Sequence, residues 1–311
     1  MTSEVRRAAQ ILRAGGLVAF PTETVYGLGA DASNPEAVAR LYAAKRRPAG
    51  HPVIVHFADA GRAFEWAREV PESAGKLAAR FWPGPLTLIL KRSPKARDFV
   101  TGSQDTVGLR VPAHPVAQRL LREFGGGVAA PSANIFGKVS ATTAAHVLED
   151  LAAAADLVLD AGASEIGIES TIVDLSGKTP VILRPGAIAK RQLEEALNVR
   201  IGEKGARAPR HSGGHARHYA PKTPARLVPA HDLDREIASA KASVAVLAFS
   251  RPDEPVDFWI RMPREPKAYA RRLYAALREL DGADCETILI EAPPDAPEWA
   301  AVRDRLLRAT G

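Results

Sequence analysis

The apolar positions of this chain fall into short runs, and polar residues interrupt them at recurring places. The N-terminal stretch MTSEVRRAAQILRAGG reads as a short amphipathic helix, with Ser3 available as a cap and Gly15 or Gly16 as a stop. Leu17-Val18-Ala19-Phe20 then reads as a buried strand that ends at Pro21. A helix follows, capped by Asn34, with Pro35 in its first turn and Val38, Leu41 and Tyr42 as its apolar face. Lys45, Arg46 and Arg47 close it and Pro48 stops it; a second buried run, Val53-Ile54-Val55, ends at His56. Beyond it the pattern predicts helices over 61–70 and 72–80, a rigid turn over 81–85, and strands over 86–90 and 105–112. A helix over 114–124 and a short strand at 128–130 come next. Ser140 is placed to cap a helix over 141–151, and strands are expected at 156–160, 170–175 and 180–183. Strands alternating with helices predict a layered α/β domain.

Residues 198–224 break this rhythm. They are rich in Gly, Pro and basic residues and poor in large apolar ones, which reads as a linker. His211, His215 and His218 suggest a metal, but no carboxylate or thiolate accompanies them, and a basic tether is the plainer reading. From Ala225 a second, small α/β unit is expected, with strands at 226–228, 243–249 and 287–290. Its helices would span 267–280, with Tyr269, Leu273, Leu277 and Leu280 as the apolar face, and 297–309. Arg271, Arg272 and Arg278 read as a solvated face rather than a nucleic-acid patch.

The polar residues carry the functional signal. Hydroxyls and a carboxylate, Thr22-Glu23-Thr24, follow a buried strand, an odd choice for packing and a common one for a site on a rigid scaffold. The three cations after the first long helix suit a helix dipole or an anion. Thr106, Gly108 and Arg110 would share one strand face, where the glycine allows something to approach the sheet. An edge strand with one solvated face is the alternative. Ser132 and Asn134 sit two apart, Ser170 and Thr171 open another strand, and Arg184 ends the next. The sequence has no Cys/His metal set, nucleophile elbow, Walker loop or Rossmann fingerprint.

Composition narrows the class further. The 311 residues are 46% hydrophobic and 25% charged, which fits one large or two ordinary globular domains. With no apolar stretch of membrane-spanning length and no signal-peptide core, a cytoplasmic protein without a membrane role is expected. One cysteine, Cys285, rules out an internal disulfide framework. A net charge of +6 favours an anionic partner, a nucleotide or a nucleic acid.

These clusters resemble the YrdC family. FPTETVYGLG at 20–29, KRRP at 45–48, PVIVH at 52–56 and WPGPLTLIL at 82–90 carry the likeness. VGLRVP at 107–112, APSANIFGKVS at 130–140, GIESTIVDL at 167–175 and ILRPGAI at 182–188 continue it. HYAPKTP at 218–224 and the C-terminal unit resemble the longer, two-domain members, the threonylcarbamoyl-AMP synthases. The likeness implies a twisted open sheet with helices on its faces over residues 1–200, a linker at 201–224 folding over the active site, and a small Rossmann-like α/β domain over 225–311.

It also implies an activity: formation of threonylcarbamoyl-adenylate and pyrophosphate from L-threonine, bicarbonate and ATP. Mg2+ would be held mainly through the ATP phosphates, with no metal ligand from protein side chains. The product would pass to a tRNA-modifying threonylcarbamoyl transferase complex, for the adenosine beside the anticodon. Lys45, Arg47, Ser132 and Asn134 match the family's catalytic quartet; Thr22, His56, Arg110 and Ser170 fall on the threonine side. Lys45, Arg47, Thr106, Ser132, Asn134, Ser140, Arg184 and Tyr219 fall on the ATP side, with His218 and Tyr219 in the linker lid. His211-Ser212-Gly213-Gly214-His215-Ala216-Arg217 replaces a stretch that commonly holds more Pro and Met, so the lid contacts need not match. A carbamoyl-transfer enzyme of the hydrogenase-maturation type is disfavoured by the single cysteine. A non-catalytic RNA-binding module, or weak tRNA binding beside catalysis, stays open on charge alone.

Overall fold

The computed structural model describes residues 2–48, 50–202, 204–205 and 208–311. Two compact units emerge. The first holds Met1–Phe136, Ala141–Glu165 and Glu169–Gly214; the second holds Gly137–Ser140, Ile166–Ile168 and His215–Gly311.

In the first unit α1 (Thr2–Arg13) leads into β1 (Val18–Phe20), which pairs antiparallel with β2 (Gly27–Asp31), Phe20 opposite Gly27. The side chain of Asn34 caps α2 (Pro35–Ala44) by accepting from the amides of Glu36 and Ala37 at 2.9 and 3.1 Å. There follow β3 (Ile54–His56), α3 (Ala60–Phe64), α4 (Glu72–Phe81), β4 (Leu86–Lys91), α5 (Asp98–Thr101) and β5 (Thr106–Arg110). Then come α6 (Pro115–Phe124), β6 (Val128–Ala129), α7 (Ala144–Leu151), β7 (Leu157–Val158), β8 (Thr171–Asp174), β9 (Val181–Arg184) and α8 (Lys190–Leu197). The nine strands form one mixed sheet in the order β7-β1-β2-β6-β3-β5-β4-β8-β9.

Strand alternation gives the centre of this sheet two different faces. Val55, Leu109, Leu88 and Val173 stand opposite one another across β3, β5, β4 and β8, and all join the main core with Leu41 and Leu77. Burying each such side chain is worth about 1.5–3 kcal/mol. On the other face one row runs Ile54, Gly108, Ile89 and a second runs His56, Arg110, Thr87. Ile54, Ile89, Ile172 and Leu183 form a separate small cluster there. A packed apolar layer on one side and a row of buried polar groups on the other place the chemistry.

Several boundaries depart from the periodicity. α3 stops at Phe64 because Ala67 bridges Arg92 and the Arg68 amide donates to Lys91 O, so 67–68 follow the edge of β4 instead of extending a helix to 70. α7 begins at Ala144 under a cap from Thr143, whose hydroxyl accepts from the His146 amide at 3.2 Å; Ser140 lies upstream, in the second unit. β2 and α8 add elements that the pattern does not announce.

The second unit contains β10 (Ala225–Val228), α9 (Leu233–Ala238), β11 (Val244–Ala248), β12 (Phe258–Arg261), α10 (Pro266–Asp281), β13 (Thr287–Glu291) and α11 (Ala300–Thr310). Its four strands are all parallel in the order β10-β13-β11-β12; α9 and α10 carry the connections β10 to β11 and β12 to β13, while β11 passes to β12 through 249–257 without a helix. The fourth strand, β12, lies at the edge with Phe258 exposed, which hides it from a search for buried runs. Among the described residues no helix is long and apolar enough to cross a membrane.

Candidate functional site

The end of α2 sets the first half of the site. The Arg47 amide donates to Tyr42 O at 2.9 Å and the Arg46 amide to Ala43 O at 3.0 Å, the paired bonds of a Schellman cap. Arg46 takes the left-handed conformation that this cap demands, with φ +53°. The turn sends Lys45 and Arg47 inward, both buried, while Arg46 stays exposed. Lys45 Nζ donates to Ser132 O at 2.5 Å and to Asn134 O, and the Phe136 amide returns a bond to Lys45 O at 2.9 Å. Two of the three ammonium donors are thus engaged by one loop. Burial and the Arg47 charge push the Lys45 pKa well below the usual lysine range, and Asp150 opposes them. Arg47 stacks over Phe136 at 5.4 Å and Tyr42 at 5.9 Å and donates to Pro52 O at 2.8 Å. The expected quartet is therefore gathered in one place: Lys45 and Arg47 on the helix end, Ser132 and Asn134 on the loop after β6.

The loop after β1 runs beside that loop. Leu28 N donates to Pro131 O at 2.9 Å and Ala133 N to Tyr26 O at 2.8 Å. Within it, Thr22 Oγ1 donates to Val25 O at 2.6 Å, so the 2.8 Å contact between the two threonine hydroxyls runs from Thr24 to Thr22. Arg110 Nη2 donates to Thr24 Oγ1 at 2.9 Å and to Glu23 Oε1 at 2.7 Å. Glu23 Oε2 accepts from the Ala113 amide at 2.9 Å. Burial pushes the Glu23 carboxyl up, but the Arg110 charge and these bonds outweigh it and hold its pKa below the usual range.

Beside this pair lies His56, opposite Arg110 in register. Burial and the Arg110 charge push its pKa down to about 3, although backbone groups of Ile54 and Val128 favour the proton. The ring is neutral at ordinary pH. Its Nδ1 and Arg110 Nε are buried and have no hydrogen-bond partner among the described residues. A third group continues along the same face. Ser170 Oγ meets Thr87 Oγ1 at 2.8 Å and accepts from Arg184 Nη2 at 3.1 Å, and Arg184 Nε donates to Ser170 O at 3.0 Å.

The segment 210–212 covers the stretch between. Arg210 donates to Gly50 O at 2.8 Å and Gly102 O at 2.6 Å, and exchanges two bonds with the Gln104 side chain at 2.6 and 3.0 Å. Ser212 Oγ donates to Pro52 O at 3.1 Å, and Ser212 O accepts from Arg184 at 3.0 Å. In front of Ile54, Ile89, Thr106 and Gly108 this leaves a cavity of about 10 Å3.

Ser140, His218 and Tyr219 belong to the second unit. There Tyr219, at φ +62°, packs against His218 at 4.2 Å and Tyr274 at 5.7 Å, with the guanidinium of the fully buried Arg305 5.3 Å from its ring. Of the groups around the first-unit site, sequence reasoning left Glu23, Thr24 and Thr87 without a role. A buried carboxylate at a strand end was the available signal for Glu23; Thr87 sits in an apolar run and gave none. Among the described residues no group of three His, Cys, Asp or Glu side chains could hold a metal.

The nine-stranded mixed sheet and its buried polar face define a YrdC-like α/β domain, followed by a parallel α/β unit. The chain belongs to the Sua5/YciO/YrdC family, in its two-domain form. The profile described as "Telomere recombination" matches residues 10–186, and that of the "Threonylcarbamoyl-AMP synthase, C-terminal domain" matches residues 188–311. The threonylcarbamoyl-AMP synthase of Pyrococcus abyssi is 40% identical over 322 residues, covering 99% of this chain and 94% of that protein. The Bacillus subtilis protein of the same name is 39% identical, covering 99% and 93%. The crystal structure of P. abyssi Sua5 complexed with L-threonine matches with a TM-score of 0.92 at 38% identity, covering 100% of this chain and 95% of that one.

Proposed function

We propose that the chain condenses L-threonine, bicarbonate and ATP into threonylcarbamoyl-AMP and pyrophosphate, in the cytoplasm, for hand-over to a tRNA-modifying threonylcarbamoyl transferase complex. The observation that carries this reading is the adjacency of two loops, one tied to buried Lys45 and the other to buried Arg110. The amine of threonine and bicarbonate give an N-carboxylate with loss of water. A carboxylate oxygen then attacks the α-phosphorus of ATP and the bond to the β-phosphate oxygen breaks, releasing pyrophosphate. All reacting atoms come from substrates, so the protein's work is to orient them and to balance charge.

The third Lys45 donor and the Arg47 guanidinium suit the triphosphate, and Ser132 and Asn134 fix the loop that carries it. Thr106 and Arg184 serve the nucleotide on the same face, with Ser140 and Tyr219 assigned to ATP by resemblance. Arg110 Nε–H and neutral His56 Nδ1 offer a donor and an acceptor to the amino acid, whose carboxylate and hydroxyl complement them. Ser170 adds a hydroxyl at the end of that row. Thr22 serves this side by shaping its loop, because its own proton goes to Val25 O. Mg2+ would enter on the ATP phosphates and supply further charge neutralisation there.

Pyrophosphate release from ATP, with threonine and bicarbonate each present or omitted, tests the reading. Release that requires both is expected. Lys45→Ala should lower turnover by a factor of about 10²–10³, as for the loss of a donor that acts at the transition state. Release independent of threonine would leave an ATP hydrolase in its place. No release, with RNA binding that falls steeply with salt, would favour an RNA-binding module.

A further inference from the structure

Glu23 and Arg110 form an ion pair at 2.7 Å with side chains 7% and 5% exposed. A buried pair of this kind costs desolvation on both sides, and an apolar pair of similar volume would often hold a fold as well. Its geometry gives a reason for its presence other than stability. One carboxylate oxygen takes Arg110 Nη2, while the other takes the Ala113 amide at 2.9 Å and the His114 amide at 3.4 Å, just before α6. The carboxylate is therefore fixed from two directions, by a backbone that cannot move without shifting a helix. Nη2 is shared between Glu23 and Thr24, which fixes the plane of the guanidinium. The hydroxyls then relay the order inward, from Thr24 to Thr22 to Val25 O. Arg110 Nε–H is left buried without a partner among the described residues, and so is Nδ1 of His56, the residue opposite Arg110 in register.

We infer that Glu23 is a positioning residue: it locks the Arg110 guanidinium so that its Nε–H, beside His56, is the donor presented to the amino-acid substrate. This rests on the synthase reading and deepens it. Glu23 itself touches no reacting atom. Glutamine at this position fails for a definite reason. The site offers donors on both sides, the guanidinium on one and two amides on the other, so it needs two acceptors. A glutamine has one, and its NH2 group would face a donor whichever way it turned. Arg110 would then keep its charge but lose its fixed plane.

The test measures threonine binding to the full chain directly by calorimetry, together with KM for threonine, KM for ATP and kcat, in Glu23→Gln and Thr24→Val. Thr24→Val removes the second acceptor on Nη2 with little change in shape and keeps the test open if Glu23→Gln does not fold. For Glu23→Gln the inference expects Kd and KM for threonine to rise about ten- to a hundredfold, the loss of a charge-assisted hydrogen bond. A smaller rise in the same direction is expected for Thr24→Val, with KM for ATP within about twofold of wild type in both. A folded Glu23→Gln protein with unchanged threonine binding overturns the inference, and so does an equal rise in both KM values. If Glu23→Gln is unfolded, unchanged threonine binding by Thr24→Val overturns it. Wild-type protein that binds no threonine would instead overturn the functional reading on which the inference stands.

Discussion

A histidine whose ring is neutral in the native state ties this site to pH. The His56 pKa is about 3 in the folded chain against 6.5 for the unperturbed side chain, so between those values the unfolded state binds the extra proton. Acid therefore favours unfolding across that window, and stability rises with pH up to about 6.5. From pH 6.5 to 5 the loss from this residue alone is about 2 kcal/mol, at 1.36 kcal/mol per unit. Glu23 adds nothing there, because its folded pKa lies below its usual 4.5 and its stabilisation is lost only at lower pH. Urea unfolding at pH 6.5 and 5 should show the wild type losing about 2 kcal/mol more than His56→Asn; equal losses would put the charged ring outside the sheet. The sequence placed His56 at a strand end and Arg110 on a polar face, and both positions hold. It could not pair Arg110 with Glu23, since the two lie 87 positions apart and a lone carboxylate carries no address. Thr22 shows the opposite limit. Its place in the motif suggests a ligand contact, and its hydroxyl proton turns out to serve the loop.

At the scale of elements, the cationic end of α2 was legible as residue types and not as geometry. Three cations at a helix C-terminus fit the dipole, and nothing in the letters says that the middle one carries the left-handed residue of the cap. Glycine usually occupies that place because it has no Cβ to strain. Arg46 is exposed and lies outside the cluster, so Arg46→Gly should raise stability by about 0.5–1 kcal/mol without changing KM for ATP. A matched chemical denaturation series checks it, and a loss of stability would mean that the arginine side chain contributes more than the strain costs. The missing strand β2 has a related cause. Its sequence, Gly-Leu-Gly-Ala-Asp, looks like a loop, but a Cβ on Gly29 would lie 2.8 Å from both Phe20 and Val128. The glycine is there so that neighbouring side chains can cross the strand, and composition cannot separate that from a turn. Helix α8 was hidden differently: Lys190–Leu197 buries Leu193 and Leu197, two positions one turn apart, too few to establish a period.

For the whole molecule, the division between the two compact units falls inside the stretch that the pattern reads as a linker. Gly, Pro and basic residues from 198 onward look like one tether, yet the described residues up to Gly214 group with the first unit and those from His215 with the second, which also takes in Gly137–Ser140 and Ile166–Ile168. What holds 210–212 to the first unit is backbone carbonyl chemistry at Gly50, Gly102 and Pro52, and carbonyls are the same in every sequence. That attachment has a functional cost. With about 10 Å3 left in front of Gly108, roughly the space of one water, the segment leaves little room for a ligand on this face. If ATP uses Thr106 and Arg184 as proposed, Arg210 and Ser212 would have to release their carbonyls first. Arg210→Ala removes two bonds, worth about 1 kcal/mol each near the surface, and leaves the reciprocal Gln104 contacts to the backbone of residue 210 intact. Association of ATP in stopped flow should accelerate by up to about thirtyfold, and amides of 104–108 should exchange faster in the same variant. If exchange quickens and association does not, the segment opens ahead of a different slow step. If neither changes, Arg210 is not what keeps this face covered.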